Sequence, residues 1–308
     1  MATYLLKRLV GTIPVLLGVS ILVFAMARLV PGDPIDIMFA NQAPPSPEQR
    51  AELRRSMGLD QPIHRQYITF MTNLAKGDMG QSFRTRRPVT EEIRNRIPNT
   101  VKLTIASLAV ASLIGIVTGI VAAVFKNTWI DFVSMLVAII GVSIPGFWLG
   151  LMAMMLFSVR LGWFPVAGAD TWRHLVMPAV TLGVLASAIL ARMTRSSMLE
   201  VLNQDYVRTA RAKGLKETVV VARHALRNAL IPIVTIIGLQ VGGLLSGAFI
   251  IEAVFAYPGI GMLAVQALST RDFPLIQGIV LLVATIYVMV NLFVDLLYGF
   301  IDPRVRYS

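Results

Sequence analysis

Residues 205–228 read DYVRTARAKGLKETVVVARHALRN. The stretch holds six cations, Arg208, Arg211, Lys213, Lys216, Arg223 and Arg227, between two long apolar segments, 175–191 and 229–251. A central Arg or Lys in a spanning helix costs about 2.5–3.5 kcal/mol, so this stretch cannot lie in lipid and must be a loop between spans. Helix formers fill its first half until Gly214, where a helix should stop. The pattern resumes at Lys216 and runs on through Val219, Val220 and Ala222. A short helix, a glycine hinge and a second helix lying against the membrane are therefore expected. Charge alone allows two readings: a solvated cytoplasmic loop obeying the positive-inside rule, or a surface that docks on another protein.

Composition supports the membrane. The chain has 308 residues, 56% hydrophobic and 15% charged, with a mean hydropathy of +0.69. A soluble domain has about 25% charged residues; length alone would allow two soluble domains, but the apolar runs do not. The absence of cysteine excludes a disulfide framework and thiol chemistry. A net charge of +11 could suggest nucleic acid. The cations cluster in loops beside apolar spans, however, so membrane orientation and anionic lipid account for them, and no nucleic-acid partner is expected.

Six apolar segments are legible: 9–27, 103–125, 130–159, 175–191, 229–251 and 276–300. The first follows Lys7 and Arg8 and exceeds the roughly 7–15 residues of a signal-peptide core, so it reads as an uncleaved helix with its N-terminus cytoplasmic. Pro14 is placed near its start, where proline is tolerated. Segments 130–159 and 276–300 exceed the roughly 20 residues a span needs, so they tilt, bend or emerge. Pro145-Gly146 should kink the former. An even number of spans puts both termini, Lys126 and the 205–228 loop inside, where the short loops are rich in cations. Loops 160–173 and 253–274 then lie outside with the long polar stretch 31–99. In that stretch Ser46-Pro47-Glu48-Gln49 reads as a capping box, and Gly58 ends the helix it opens. A second helix begins at Pro62, carries Ile63, Tyr67, Phe70, Met71 and Leu74 on one face, and stops at Gly77. This small helical insertion lacks a sizeable core and must lie on the membrane or on other loops. Small residues at packing spacing, Gly115/Gly119, Gly146/Gly150, Gly238/Gly242 and Gly243/Gly247, suit close helix approach; the last two pairs share one helix, with Gln240 between Gly238 and Gly242, and that helix is expected to face the bundle interior.

No engine is visible. The chain has no Gly-x4-Gly-Lys-Ser/Thr loop, no Gly-x-Ser-x-Gly elbow and no His-Glu-x-x-His site. His64, His174 and His224 lie far apart, without ligand spacing, so no metal site is expected. Asp131, Glu252 and Asp295 all fall near span ends and read as hydrated or bundle-facing polar residues. That scarcity of deep carboxylates argues against an ion-coupled carrier and for an external motor.

The loop also resembles a known family motif. It is similar to the EAA loop of the membrane-spanning subunits of ABC importers, E-A-A-x3-G-x9-I-x-L-P. Gly214 matches the glycine, Ala210 the second alanine and Leu226 the leucine. Arg208, Thr209, His224 and Arg227 stand where the motif has glutamate, alanine, isoleucine and proline. The run 206–215 with His224-Ala225-Leu226-Arg227-Asn228 resembles the variant of the dipeptide, oligopeptide, glutathione and nickel branch. Pro31-Gly32-Asp33-Pro34, the run Arg192–Met198 and Asp302-Pro303-Arg304-Val305-Arg306-Tyr307 extend the likeness over the whole chain.

The resemblance implies an all-α integral membrane protein of six transmembrane helices, the type I ABC importer permease fold, with a helical extracytoplasmic insertion. It implies a first helix in 1–30, the insertion in 31–99, a core domain in 97–299 and a cytoplasmic tail in 300–308. It assigns ATPase coupling to Asp205, Tyr206, Arg208, Thr209, Ala210, Arg211, Ala212, Lys213, Gly214, Leu215, His224, Leu226, Arg227 and Asn228. Within that set Arg208, Arg211 and Lys213 would pair with acids on an ATPase, and Tyr206 and Ala210 would fill its groove. Helix packing is expected at Gly115, Gly119, Gly238 and Gly242. The implied partners are a homologous second permease, two cytoplasmic ATPases, an extracytoplasmic solute-binding protein and membrane lipid. The subunit itself would be non-catalytic and without cofactor, with ATP and Mg held by the ATPases. The implied solute is a dipeptide, oligopeptide or glutathione, with nickel, haem or another small solute as the alternative. An ion-coupled carrier or channel working without an ATPase is the reading from another class.

Overall fold

The computed structural model describes residues 2–29, 33–39 and 43–301. Pro31-Gly32, the tail motif 302–307 and the side chain of Asp295 lie outside what is described. The chain divides into two compact units. One comprises Asn99–Pro258 with Val290–Ser308, the other Ala2–Pro98 with Gly259–Met289.

The second unit begins with α1 (Ala2–Leu29), in which Pro14 is interior. The expected position near the helix start is corrected, because the helix already runs through the polar residues that precede the apolar segment. The short α2 (Pro34–Met38) is capped by the Asp33 carboxylate, which accepts from the Ile35 N–H at 3.1 Å. Helix α3 (Pro47–Ser56) opens on the reciprocal Ser46–Gln49 capping box. It ends before Gly58 at φ +64°. Helix α4 (Ile63–Ala75) follows Pro62 and ends before Gly77 at φ +80°. Tyr67, Phe70, Met71 and Leu74 are half-buried, but Ile63 is 69% exposed. The expected apolar face starts one turn late, because contact with α1 begins only where Arg28 donates to Gln66 and Tyr67 meets Ser20 and Phe24.

Helix α5 (Val89–Val124) starts well before the apolar segment does. Glu91 and Glu92 occupy its first turn, where the positive end of the helix dipole favours them, so polar sequence here is helix rather than loop. The segment expected as one kinked span is two arms, α6 (Trp129–Ser143) and α7 (Gly146–Ala153), the second prolonged by a π-helical stretch, Met154–Arg160. The arms differ in direction by 101°. Ile144 is extended, as a residue before proline prefers, and Pro145 has no N–H to continue the ladder.

Helix α8 (Trp172–Leu202) is followed by α9 (Asp205–Ala212). Then α10 (Glu217–Val219) passes through a π-helical stretch, Val220–Ala225, into α11 (Leu226–Val254). The loop expected at 253–274 contains α12 (Ile260–Ser269), and α13 (Phe273–Ile301) is the last element described. Each of the six apolar segments falls on a helix or on the bent pair. Among the described residues four helices are long and apolar enough to span, five if the bent pair is one span.

In the first unit α8 is the central helix. Leu182, Ala186 and Leu190 from α8 share one core with Leu103 and Ala111 of α5 and Leu244, Ala248 and Ile251 of α11. Glycine sets the α5–α8 approach. A Cβ at Gly115 would lie 2.5 Å from the Leu190 Cβ, and one at Gly119 would lie 2.4 Å from the Thr194 Cβ. From the other side a Cβ at Gly183 would lie 2.7 Å from the Val110 Cβ. Backbones this close exclude any side chain. On α11 Gly242 is buried and Gly238 half-buried. A Cβ at Gly243 would meet no described residue of this chain within 4 Å beyond its own helical neighbours, whereas one at Gly247 would meet Leu182.

Candidate coupling loop

The sequence sets up α9 through its two ends. Gln204 is extended, Asp205 lies in the first turn, and the Thr209 hydroxyl donates back to the Asp205 carbonyl at 2.9 Å. The far end closes on Gly214, at φ +77°. The Gly214 N–H donates to the Arg211 carbonyl (2.9 Å) and the Leu215 N–H to the Ala210 carbonyl (3.4 Å). These are the two bonds of a Schellman ending, which requires a left-handed residue between them. No atom outside its own neighbours lies within 4 Å of a Cβ built on Gly214. Its requirement within this chain is therefore conformational, not steric.

Val207, Ala210 and Val220 are buried and form a small core with Val201 and Leu202 at the end of α8. A second core, of Ala123, Met198, Ala225, Ala229 and Ile233, continues the contact into the spans. The loop is thus rooted in α5, α8 and α11. Two polar ties brace it. Arg211 donates to both Glu217 oxygens, at 3.1 and 2.7 Å, across the glycine. The guanidinium holds the Glu217 carboxyl below its ordinary range, and Glu217 in turn raises Arg211. Asn228 donates to the Tyr206 hydroxyl and to the His224 carbonyl, both at 3.0 Å.

The expected coupling residues therefore divide. Asp205, Tyr206, Arg208, Thr209, Ala212, Lys213, Gly214, Leu215, Arg227 and Asn228 are exposed, whereas His224 and Leu226 are half-buried. Ala210 is only 5% exposed. Its expected place in a partner's groove is corrected: it fills the core beneath its own helix. Arg211 is likewise already engaged, by Glu217. The Arg208 side chain is 81% exposed despite its 3.8 Å contact with Asp205, and with Lys213 it presents a cationic surface to the outside of the helix.

One constellation escaped the sequence. Arg195 of α8 grips Asp131 at the start of α6 through two bonds, of 2.6 and 2.7 Å. The same carboxylate accepts from the Asn127 N–H at 3.0 Å, where Asn127 has φ +61°. Asp131 is buried rather than hydrated. Sixty-four residues separate the pair, and no local spacing joins them. Glu252 is also fully buried and accepts from the Thr100 hydroxyl at 2.6 Å. His174 belongs to the cap of α8 through Thr171. Among the described residues no three His, Cys, Asp or Glu side chains gather as metal ligands would.

The family model for the inner membrane component of binding-protein-dependent transport systems matches residues 115–307, and its N-terminal companion matches residues 1–104. The chain belongs to this family. It is 48% identical to the glutathione transport system permease protein GsiC of Salmonella choleraesuis over 308 residues, all of both chains. It is 45% identical to the dipeptide transport system permease protein DppB of Alkalihalophilus pseudofirmus, again over the full length of both. The fold is that of a chain in an inward-facing structure of the MetNI methionine ABC transporter, with a TM-score of 0.56 at 20% identity. That match covers 68% of this chain and 96% of the other. The chain is thus a permease subunit of a binding-protein-dependent ABC importer, a multi-pass protein of the inner membrane, and its family works with ATPase and binding-protein partners.

Proposed function

We propose that this permease forms half of a path for glutathione or a short peptide, with a homologous second permease forming the other half. The names of its full-length relatives support that solute class. Residues 205–228 are the handle by which two cytoplasmic ATPases, holding ATP and Mg, work the gate; the chain itself performs no chemistry. The observation that carries this reading is a Schellman-capped helix rooted on three spans, with Tyr206, Arg208 and Lys213 facing outward. An ATPase that moved α9 would move α8 and α11 with it, because Val207 and Ala210 pack on α8 and the chain runs unbroken from Glu217 to Val254. Tyr206 then fills the ATPase groove alone, and Arg208 and Lys213 pair with its acids. The termini lie in the cytoplasm. The insertion 31–99 lies outside, before the binding protein, and 97–299 forms the transporting core.

The test is reconstitution. The four-subunit assembly with its binding protein, in liposomes, should accumulate labelled glutathione or dipeptide only with ATP inside the ATPase compartment. Uptake by this chain alone, driven by a proton gradient and indifferent to ATP, would reject the reading.

A further inference from the structure

The second unit contains a cavity of about 670 Å³. That volume falls within the roughly 300–1,000 Å³ of small-molecule sites. Its wall is one-signed. Arg28, Arg55 and Arg86 line it, and no Asp or Glu does. The stretch 33–98 that builds most of it is nearly balanced, with ten Arg and Lys against eight Asp and Glu. Selection of cations alone is therefore a property of the fold and not of composition.

The sorting has a visible cause. Asp33 and Asp36 take Arg50 and Arg54, with contacts of 2.8–3.0 Å. Arg55 is the next residue, about 100° further round the helix, and turns to the cavity with no ion pair among the described residues. Arg86 likewise has no carboxylate partner among them and sits 5.9 Å from the Phe39 ring. Arg28 is held in place from the side, by Gln66 and by the Phe24 ring at 4.0 Å, and has no carboxylate partner among the described residues. Beside these cations lie amides: Gln61, Asn73 and Gln81, whose side chains engage no described partner. Leu53, Met57, Phe70 and Phe273 supply apolar wall. Guanidinium groups match carboxylates as planar forks, and side-chain amides match peptide groups in both donor and acceptor.

We propose that this cleft is a receiving site for the free carboxylate end of a short peptide, glutathione included, before it enters the path. The inference rests on the reading of the chain as a peptide or glutathione importer with the insertion 31–99 outside. The cleft would hold solute handed over at the outer face by its charge and its peptide groups rather than by side-chain identity.

The experiment uses the assembled permeases and ATPases in nanodiscs of phosphatidylcholine, without binding protein. Titration with glutathione, with alanylalanine and with alanylalanine amide should show binding of both acids and at least tenfold weaker binding of the amide. The double variant Arg55→Gln/Arg86→Gln should weaken both acids roughly tenfold and leave basal ATP hydrolysis unchanged. Lys76→Gln, a cation of the same unit outside the cleft, should change nothing. Equal binding of acid and amide, or equal loss in Lys76→Gln, overturns the proposal. So does a cleft that takes a lipid phosphate instead: wild type, but not the double variant, retaining phosphatidylglycerol from mixed nanodiscs while glutathione fails to bind. If the importer reading itself is wrong, the full assembly shows no ATP-driven uptake of either solute. If only the cleft is wrong, uptake persists and the binding contrasts vanish.

Discussion

Gly119 on the α5–α8 seam and Gly214 in the handle are the same residue used in opposite ways. At Gly119 the backbone is ordinary helix, and what matters is the missing side chain: a Cβ would meet the Thr194 Cβ at 2.4 Å and the Ala191 carbonyl at 2.6 Å. At Gly214 there is open space, and what matters is φ +77°. The seam is a fixed part of the bundle, closed by contact within the chain. In the handle the turn at Gly214 is set by its backbone conformation, and the outer face beside it is left exposed. A substitution that fails at the first site fails by packing; at the second it can fail only by strain or by obstructing a partner.

The seam should give the largest effect. Gly119→Leu forces α5 and α8 apart, and overpacking of this kind costs about 1–3 kcal/mol. Backbone is among the atoms struck, so we expect about 3 kcal/mol. The purified assembly should show a lowered melting temperature and poor yield, with Gly119→Ala intermediate. Wild-type melting for the leucine variant would mean that the two helices are not in contact there. Next comes the clamp beside the seam. Asp131→Asn leaves Arg195 half-matched. Removing one partner of a buried pair costs about 3–5 kcal/mol. The Arg195 side chain is 27% exposed. Solvent screens it in part, and about 2 kcal/mol is expected. A double-mutant cycle with Arg195→Gln should recover part of the loss. Strict additivity would show that the pair does not act as one.

The comparison also explains what was legible in the residues. Gly58, Gly77 and Gly214 each end a helix where sequence placed an end, because a left-handed cap is local and its cause lies within four residues. The capping box at Ser46 is local in the same way. Apolar periodicity placed the spans but not their ends: α5 reaches back to Val89 through residues too polar for a span yet suited to a helix N-terminus. The bend at Pro145 was legible as a kink, but its 101° depends on what the two arms pack against. Nothing local told Ala210 from Tyr206 as inward or outward, or joined Arg195 to Asp131. In the handle, motif resemblance drew attention to the loop, while the division of its residues between core and surface waited for three dimensions.

A smaller stability effect with a larger functional one should separate the two uses of glycine directly. Gly214→Asn should keep both fold and transport, since Asn visits left-handed φ readily. Gly214→Ala should cost about 1 kcal/mol from the left-handed conformation. Gly214→Trp should cost no more than alanine in melting temperature, because the space is open within this chain, yet it should abolish ATP-driven uptake by obstructing the docked ATPase. If tryptophan transports as alanine does, the outer face of the glycine meets no partner.

The smallest effect lies in the brace across that glycine. Arg211 holds Glu217 ionised, so its contribution is present above the ordinary carboxylate range and disappears as pH falls through the lowered pKa of the folded state. Both side chains are about half exposed, at 43% and 53%. An exposed pair of this kind is worth about 0.3 kcal/mol, too little to read from global melting. The absence of native cysteine permits a local reading. Spin labels at Thr209→Cys and Ala222→Cys report the distance between α9 and the π-helical stretch that follows α10, without background. The distribution should broaden on acidification in the otherwise wild-type chain and be broad at every pH with Glu217→Gln. It should also sharpen at low salt, as an ion pair requires. A distribution indifferent to pH and to the substitution would assign the stiffness of the handle to the Schellman ending and the Val207–Ala210–Val220 core alone, leaving Gly214 as the sole hinge determinant between the two helices.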